Sequence, residues 1–146
     1  MTEKEMKMKR WLERGRKYDR LLKIKTHHYE SLSAPRGPAE LIGIQLDNYI
    51  NKTEAKEIDK AQLRNEIEEL AKTLSAIDKE TDKILMLLQN MNMNEYEILY
   101  LKYIQRESWE KIKKITKYSP SRIYEFHRLG LQRISLLVDV PEVKEE

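Results

Sequence analysis

Apolar positions between residues 63 and 91 recur at steps of four and three: Leu63, Ile67, Leu70, Leu74, Ile77, Thr81, Ile84, Leu88 and Met91. This is the a/d spacing of a coiled-coil seam, with Thr81 its one polar member, and it predicts a long helix from about Thr53 to Asn90. A stripe this narrow cannot be buried by its own helix, so it needs a partner. A second stripe, Met8, Trp11, Gly15, Tyr18, Leu22, Lys25, Tyr29 and Leu32, predicts a helix from about Thr2 to Leu32, with Gly15 and Lys25 interrupting the seam. Ser33-Ala34-Pro35-Arg36-Gly37-Pro38 ends that helix, because prolines and glycine do not continue one. A short apolar piece, Leu41 to Tyr49, is expected to form a turn of helix. The proline-rich reversal favours an antiparallel hairpin between the two stretches. The unbroken heptads favour a homodimer, which is the expectation adopted for oligomeric state.

From Asn94 to Leu137 the pattern changes to three shorter helices, NEYEILYLKYI, SWEKIKKI and SPSRIYEFHRLGLQRISLL. Ser108 suits the N-cap of the middle helix, and Glu110 suits the positive end of its dipole. Ser119 is a second N-cap, and Pro120 follows at the first helical position, where a missing N–H costs nothing. Two capped starts this close predict a helix-turn-helix, the arrangement that places a second helix in a DNA major groove. On that second helix Ile123, Phe126, Gly130 and Ile134 share one face, predicted as core. Gly130, costly in a helix interior by about 1 kcal/mol against alanine, points to close approach by a neighbouring helix. Ser121, Arg122, Tyr124, Glu125 and Arg128 fall on the free side and are the candidate base contacts. Lys111, Lys113, Lys114 and Lys117 are the candidate phosphate contacts, which position without reading sequence.

These residues resemble region 4 of the sigma-70 factors. Ser108, Trp109, Glu110 and Ile112 match the first half of its pattern, and Ser119, Ser121, Ile123, Phe126, Gly130, Leu131 and Ile134 match the second without a gap. The upstream LLQNMNMNEYEILYLKYI is similar to the region's first helix. The resemblance covers about a third of the chain, and with the long N-terminal helices the whole looks like the phage late-transcription regulators of the ArpU/RinA kind. It implies a phage or prophage transcription regulator that contacts RNA polymerase. Lys113 stands where the family usually has a small residue, Thr116 where it has an apolar one, and Lys117 where it often has the glycine a positive φ favours. Pro120 replaces a frequent base-contacting arginine, so the family's promoter preference is not carried over.

Net charge is only +3, but its distribution is uneven. Residues 1–30 hold ten Lys/Arg against five acids, 102–133 hold nine against three, and 53–83 hold six against nine. Basic ends around an acidic middle suit phosphate-facing surfaces at the ends, double-stranded DNA being the expected partner.

The absence of cysteine removes disulfides, thiolate metal sites and cysteine nucleophiles. No apolar run approaches the roughly 20 residues of a membrane span, and MTEKEMKMKR lacks a signal peptide's apolar core, so a cytoplasmic protein without membrane contact is expected. Adjacent His27 and His28 point about 100° apart on a helix and do not jointly chelate an ion; His127 is expected to be half-buried beside the core stripe. No Ser/His/Asp order, phosphate-binding glycine loop or H-E-x-x-H string occurs, so no enzyme, metal or cofactor is expected.

The sequence thus predicts an all-α protein: a helical oligomerisation module over 1–90 with a linker at 33–38, a sigma region 4-like helix-turn-helix over 91–138 and an acidic tail over 139–146. The expected function is a sequence-specific DNA-binding transcriptional regulator. A small terminase-like DNA-packaging protein, or a polymerase- or sigma-binding adaptor that does not bind DNA, are the alternatives.

Overall fold

The computed structural model describes residues 2–33 and 46–141, without the side chains of 33 and 46–58. All regular structure among them is helical: α1 (Glu3–Leu12), a 3-10 turn (Glu13–Gly15), α2 (Arg16–Ser33), α3 (Leu46–Gln89), α4 (Met93–Tyr103), α5 (Trp109–Thr116) and α6 (Pro120–Leu137). The Pro/Gly linker after Ser33, the start of the Leu41–Tyr49 piece and the tail after Pro141 lie outside the described residues. Backbone of residues 46–49 belongs to α3, which therefore starts before the expected Thr53.

The chain forms two compact units, one of Met1–Arg16 with Ser75–Glu146 and one of Lys17–Leu74. This division differs from the expected break at residue 90, because α1 belongs with the C-terminal helices.

In the Lys17–Leu74 unit, α2 and α3 run antiparallel. Lys25 Nζ lies 2.6 Å from Glu66 Oε2, while Tyr29, four residues on, accepts a 2.8 Å hydrogen bond from Arg64. Both stripes read from the sequence lie inward: Tyr18, Leu22, Tyr29 and Leu32 are half-buried, and Leu63 and Leu74 are buried. Lys25 is tolerated in the seam because Glu66 neutralises it. The hairpin thus covers the stripe within one chain. Leu74→Ala is expected to lower unfolding free energy by about 2 kcal/mol through the lost methyl groups and the cavity left. A urea midpoint unmoved by that substitution would mean the seam is not packed.

The other unit has two apolar clusters. Met8, Trp11 and Leu12 of α1 meet Leu85 and Leu88 of α3, Leu99 and Tyr103 of α4, and Leu131 and Ile134 of α6. Ile98 and Leu101 of α4, Ile112 of α5 and Ile123 of α6 form the second, edged by Tyr118 and Phe126. α4 feeds both clusters, which is why its sequence is apolar on more than one face. Met91, read as the last seam position, lies past the end of α3 and is exposed.

Polar seam members are satisfied by arginine. Thr81, 1 % exposed, accepts from Arg14 at 2.9 Å; Arg14 also donates to the carbonyls of Trp11 and Ile77 and lies over the Trp11 ring. Gly15 is buried where the Arg106 guanidinium passes, and a Cβ there would collide with it. Arg106, itself in a left-handed conformation (φ 56°), bonds Asp78 Oδ1 at 2.7 Å and the Ile104 carbonyl at 2.7 Å. The apparent gap in the first stripe is therefore a slot for a guanidinium.

Candidate nucleic-acid interface

α5 begins at Ser108, whose hydroxyl accepts from Lys111 N at 3.2 Å. It stops at Lys117, which adopts φ 61°, the left-handed conformation that ends helices. The positive φ expected from the family's glycine is thus present, on a lysine. Thr116 Oγ1 bonds the Ile112 carbonyl and accepts from Tyr118 N, which tightens the turn. Tyr118 then donates to Asn94 Oδ1 at 3.0 Å and meets Phe126 edge-on. Ser119 accepts from Arg122 N at 3.3 Å and opens α6, with Pro120 at its start. Two capped helices joined by a pinned three-residue turn follow from this local chemistry.

Burial divides α6 as its periodicity predicts. Ile123, His127, Gly130, Leu131 and Ile134 are buried and Phe126 is partly so. A Cβ on Gly130 would lie 2.9 Å from Leu99 Cδ1, so the glycine does allow α4 to approach closely. Ser121, Arg122, Tyr124, Glu125 and Arg128 are all exposed, Tyr124 at 68 %. Lys111, Lys113, Lys114 and Lys117 are exposed as well. Lys111 differs from the other three: its ammonium lies 3.2 Å from Glu107, which partly neutralises it. Ser121 Oγ sits 3.3 Å from Ser119 Oγ.

Of the seven arginines of this unit, three are held by internal partners, and Arg10, Arg16, Arg122 and Arg128 are exposed without a hydrogen-bond or ion-pair partner for the side chain among the described residues. Arg14, Arg106 and Arg133 are engaged by Thr81 and Glu80, Asp78, and Glu95 respectively. Arg122 and Arg128 have no side-chain partner among the described residues, and the same holds for Lys113, Lys114 and Lys117. Five unneutralised cations on α5, the turn and α6 produce a positive surface able to attract an anion.

His127 is buried rather than half-buried, because α6 presses its ring against α4 and α5. Its Nε2 is 2.6 Å from the Tyr103 hydroxyl, and Trp109 meets the ring edge-on at 5.1 Å. Burial, then Lys9 and Lys102, push the imidazole pKa down to about 4. Burial also lowers the Lys102 ammonium pKa, helped by Arg16 and Lys9 and opposed by Glu13, while its Nζ sits 4.3 Å over the Trp109 ring. This gathering is not legible in local sequence, since α1 supplies Lys9 from nearly the other end of the chain.

A cavity of about 430 Å3 opens between α5 and α6, lined by Trp109, Glu110 and Lys113 on one side and Ile123, Tyr124 and His127 on the other. Among the described residues no group of three His, Asp or Glu side chains is placed to hold a metal ion, and no helix is long and apolar enough to cross a membrane. His27 and His28 are both exposed. No family model matches the chain, and neither does any curated protein or solved structure.

Proposed function

We propose that the chain is a sequence-specific DNA-binding transcription regulator in which α6 reads the major groove. The observation that carries this reading is the charge arrangement on α5 and α6: Arg122, Arg128, Lys113, Lys114 and Lys117 are exposed without internal partners. Arg14, Arg106 and Arg133 of the same unit are consumed by carboxylates and carbonyls, whereas Arg10 in α1 and Arg16 at the start of α2 are exposed without such partners among the described residues. On α6 the side chains of Ser121, Arg122, Tyr124, Glu125 and Arg128 supply the donors and acceptors that base edges require. The lysines of α5 and the turn supply phosphate neutralisation.

The likeness to sigma region 4 supports RNA polymerase as a second partner and a phage or prophage origin within this proposal. A homodimer suits a palindromic operator. Because the α3 seam is covered within the chain, that dimer is assigned to exposed apolar residues such as Leu136 and Leu137 at the end of α6.

A salt titration on cognate and scrambled duplex tests the reading. Arg122→Ala and Arg128→Ala are expected to cost about 1–3 kcal/mol on the preferred duplex, and at least one should relax sequence preference. Lys113→Ala and Lys114→Ala should weaken all duplexes alike and flatten the salt dependence. Lys111→Ala should do so least, since Glu107 already holds its charge. If every variant binds both duplexes as the parent does, α6 does not read DNA and the protein-binding adaptor becomes the better reading.

A further inference from the structure

The cavity between α5 and α6 has an unused hydrogen-bonding group at its wall. His127 is 6 % exposed, and its one hydrogen bond joins Nε2 to the Tyr103 hydroxyl. Tyr103 is 4 % exposed, and its proton has no other acceptor among the described residues. Buried hydroxyls do not leave a proton unsatisfied when an acceptor is in reach, so Tyr103 donates to Nε2. The imidazole proton then sits on Nδ1, an assignment made from the hydrogen-bond network. Nδ1 has no partner among the described residues. The one sealed, unpartnered side-chain polar atom among them is Glu95 Oε2, so Nδ1 is not sealed, and His127 is among the residues that line the cavity.

The rest of the lining narrows what fits. Trp109 and Tyr124 supply aromatic surface, Ile123 an apolar wall, Glu110 an acceptor and Lys113 a cation. A neutral N–H donor calls for an oxygen acceptor such as a carbonyl. The Glu110 carboxylate calls for an N–H. A lactam edge, C=O beside N–H on a planar ring, offers both. Exposed Lys113 calls for an anion attached to that ring and lying towards solvent. The volume lies in the usual range for small-molecule sites.

We propose that this cavity is a nucleobase site: it takes a planar base with a lactam edge, of the thymine type, and holds the attached phosphate at Lys113. The base arrives either on a free nucleotide or as a nucleotide unstacked from nucleic acid. The second source rests on the DNA-binding reading above; the first does not.

The test uses the full chain labelled with 15N, following the Trp109 indole N–H and the His127 ring while thymidine 5′-monophosphate is added. Saturable shifts at both residues are expected. Thymidine and inorganic phosphate should each bind roughly tenfold more weakly, having lost the anion or the base. Cytidine monophosphate, which lacks the lactam N–H, should also bind about tenfold more weakly, and Glu110→Gln should narrow that preference. Trp109→Ala, at a side chain 43 % exposed, and Tyr103→Phe with His127→Phe, which leaves no hydroxyl orphaned, should each weaken binding by about tenfold or more. No saturation by about 10 mM nucleotide, phosphate binding as well as the nucleotide, or full binding by Trp109→Ala would each overturn the proposal. A duplex and a single strand of one thymine-containing sequence then separate the sources. Trp109 and His127 shifts with either polymer that added thymidine 5′-monophosphate reverses mean the base comes from nucleic acid; shifts with the mononucleotide alone, or polymer shifts that it does not reverse, mean a free ligand. Mononucleotide binding is measured without DNA, so a chain that fails to bind duplex can still carry this site.

Discussion

Arg133→Ala is expected to destabilise the protein by about 3 kcal/mol, although nearly half of that side chain is in water. Its partner is the reason. Glu95 in the first turn of α4 is fully buried, and its Oε1 accepts from Arg133 Nε at 2.8 Å. Oε2 is buried without a hydrogen-bond partner among the described residues. Two things keep this charge in place: Arg133, and the α4 N-terminus, whose dipole favours an acid in the first turn. The Asn92 cap bonds the Glu95 backbone N–H, not its carboxylate. Removing Arg133 leaves a buried carboxylate with only a helix dipole, and that costs far more than an exposed ion pair contributes. The partial exposure of Arg133 sets the figure at the low end of the range for broken buried pairs.

A double substitution separates this mechanism from simple loss of packing. Glu95→Leu with Arg133→Ala removes both the charge and its partner, and should recover most of the loss. Urea midpoints at constant m provide the comparison. An equal deficit in the single and double variants would show that Arg133 acts by packing its stem, and that Glu95 is solvated.

The helical architecture was legible because it is written in short-range periodicity. The stripe from Leu63 to Leu88 and the one from Met8 to Leu32 are both inward, and the reversal between them is antiparallel. The caps at Ser108 and Ser119, the turn at Lys117 and the close approach at Gly130 each depend on one or two neighbouring residues, and each could be read locally. What could not be read was the fate of individual charges. Arg14 meets Thr81 across 67 residues, Arg133 meets Glu95 across 38, and Arg106 meets Asp78 across 28. Nothing in their local sequence distinguishes them from Arg122 and Arg128, which remain free of side-chain partners among the described residues. The depth of His127 is a second case, set by Tyr103 on another helix. The packing of α1 against α6 is a third, and it moves the N-terminal residues out of the coiled-coil module they continue in sequence.

His127 gives the protein a stability that should fall on mild acidification, before most carboxylates titrate. In the folded protein the imidazole stays neutral down to about pH 4, whereas in the unfolded chain it protonates near its ordinary value of 6.5. Between those limits the unfolded state binds the extra proton, so stability rises with pH and is lost as pH drops from about 6.5 towards 4. The full difference is on the order of 3 kcal/mol, and about 2 kcal/mol of it should be gone by roughly pH 5. Burial is the main cause, and Lys9 and Lys102 add repulsion towards the imidazolium. The hydrogen bond from Tyr103 acts in the same direction, since it uses the Nε2 lone pair that a proton would occupy. Replacing His127 alone would orphan the Tyr103 hydroxyl, so the informative variant is Tyr103→Phe with His127→Phe. Its unfolding free energy should change much less than the parent's from pH 7 to pH 5, whatever its absolute value. His27 and His28 are exposed and remain in both proteins, so they cancel in the comparison. If parent and double variant lose stability in parallel over that interval, His127 is not held neutral by its site, and the buried position given to its ring is wrong.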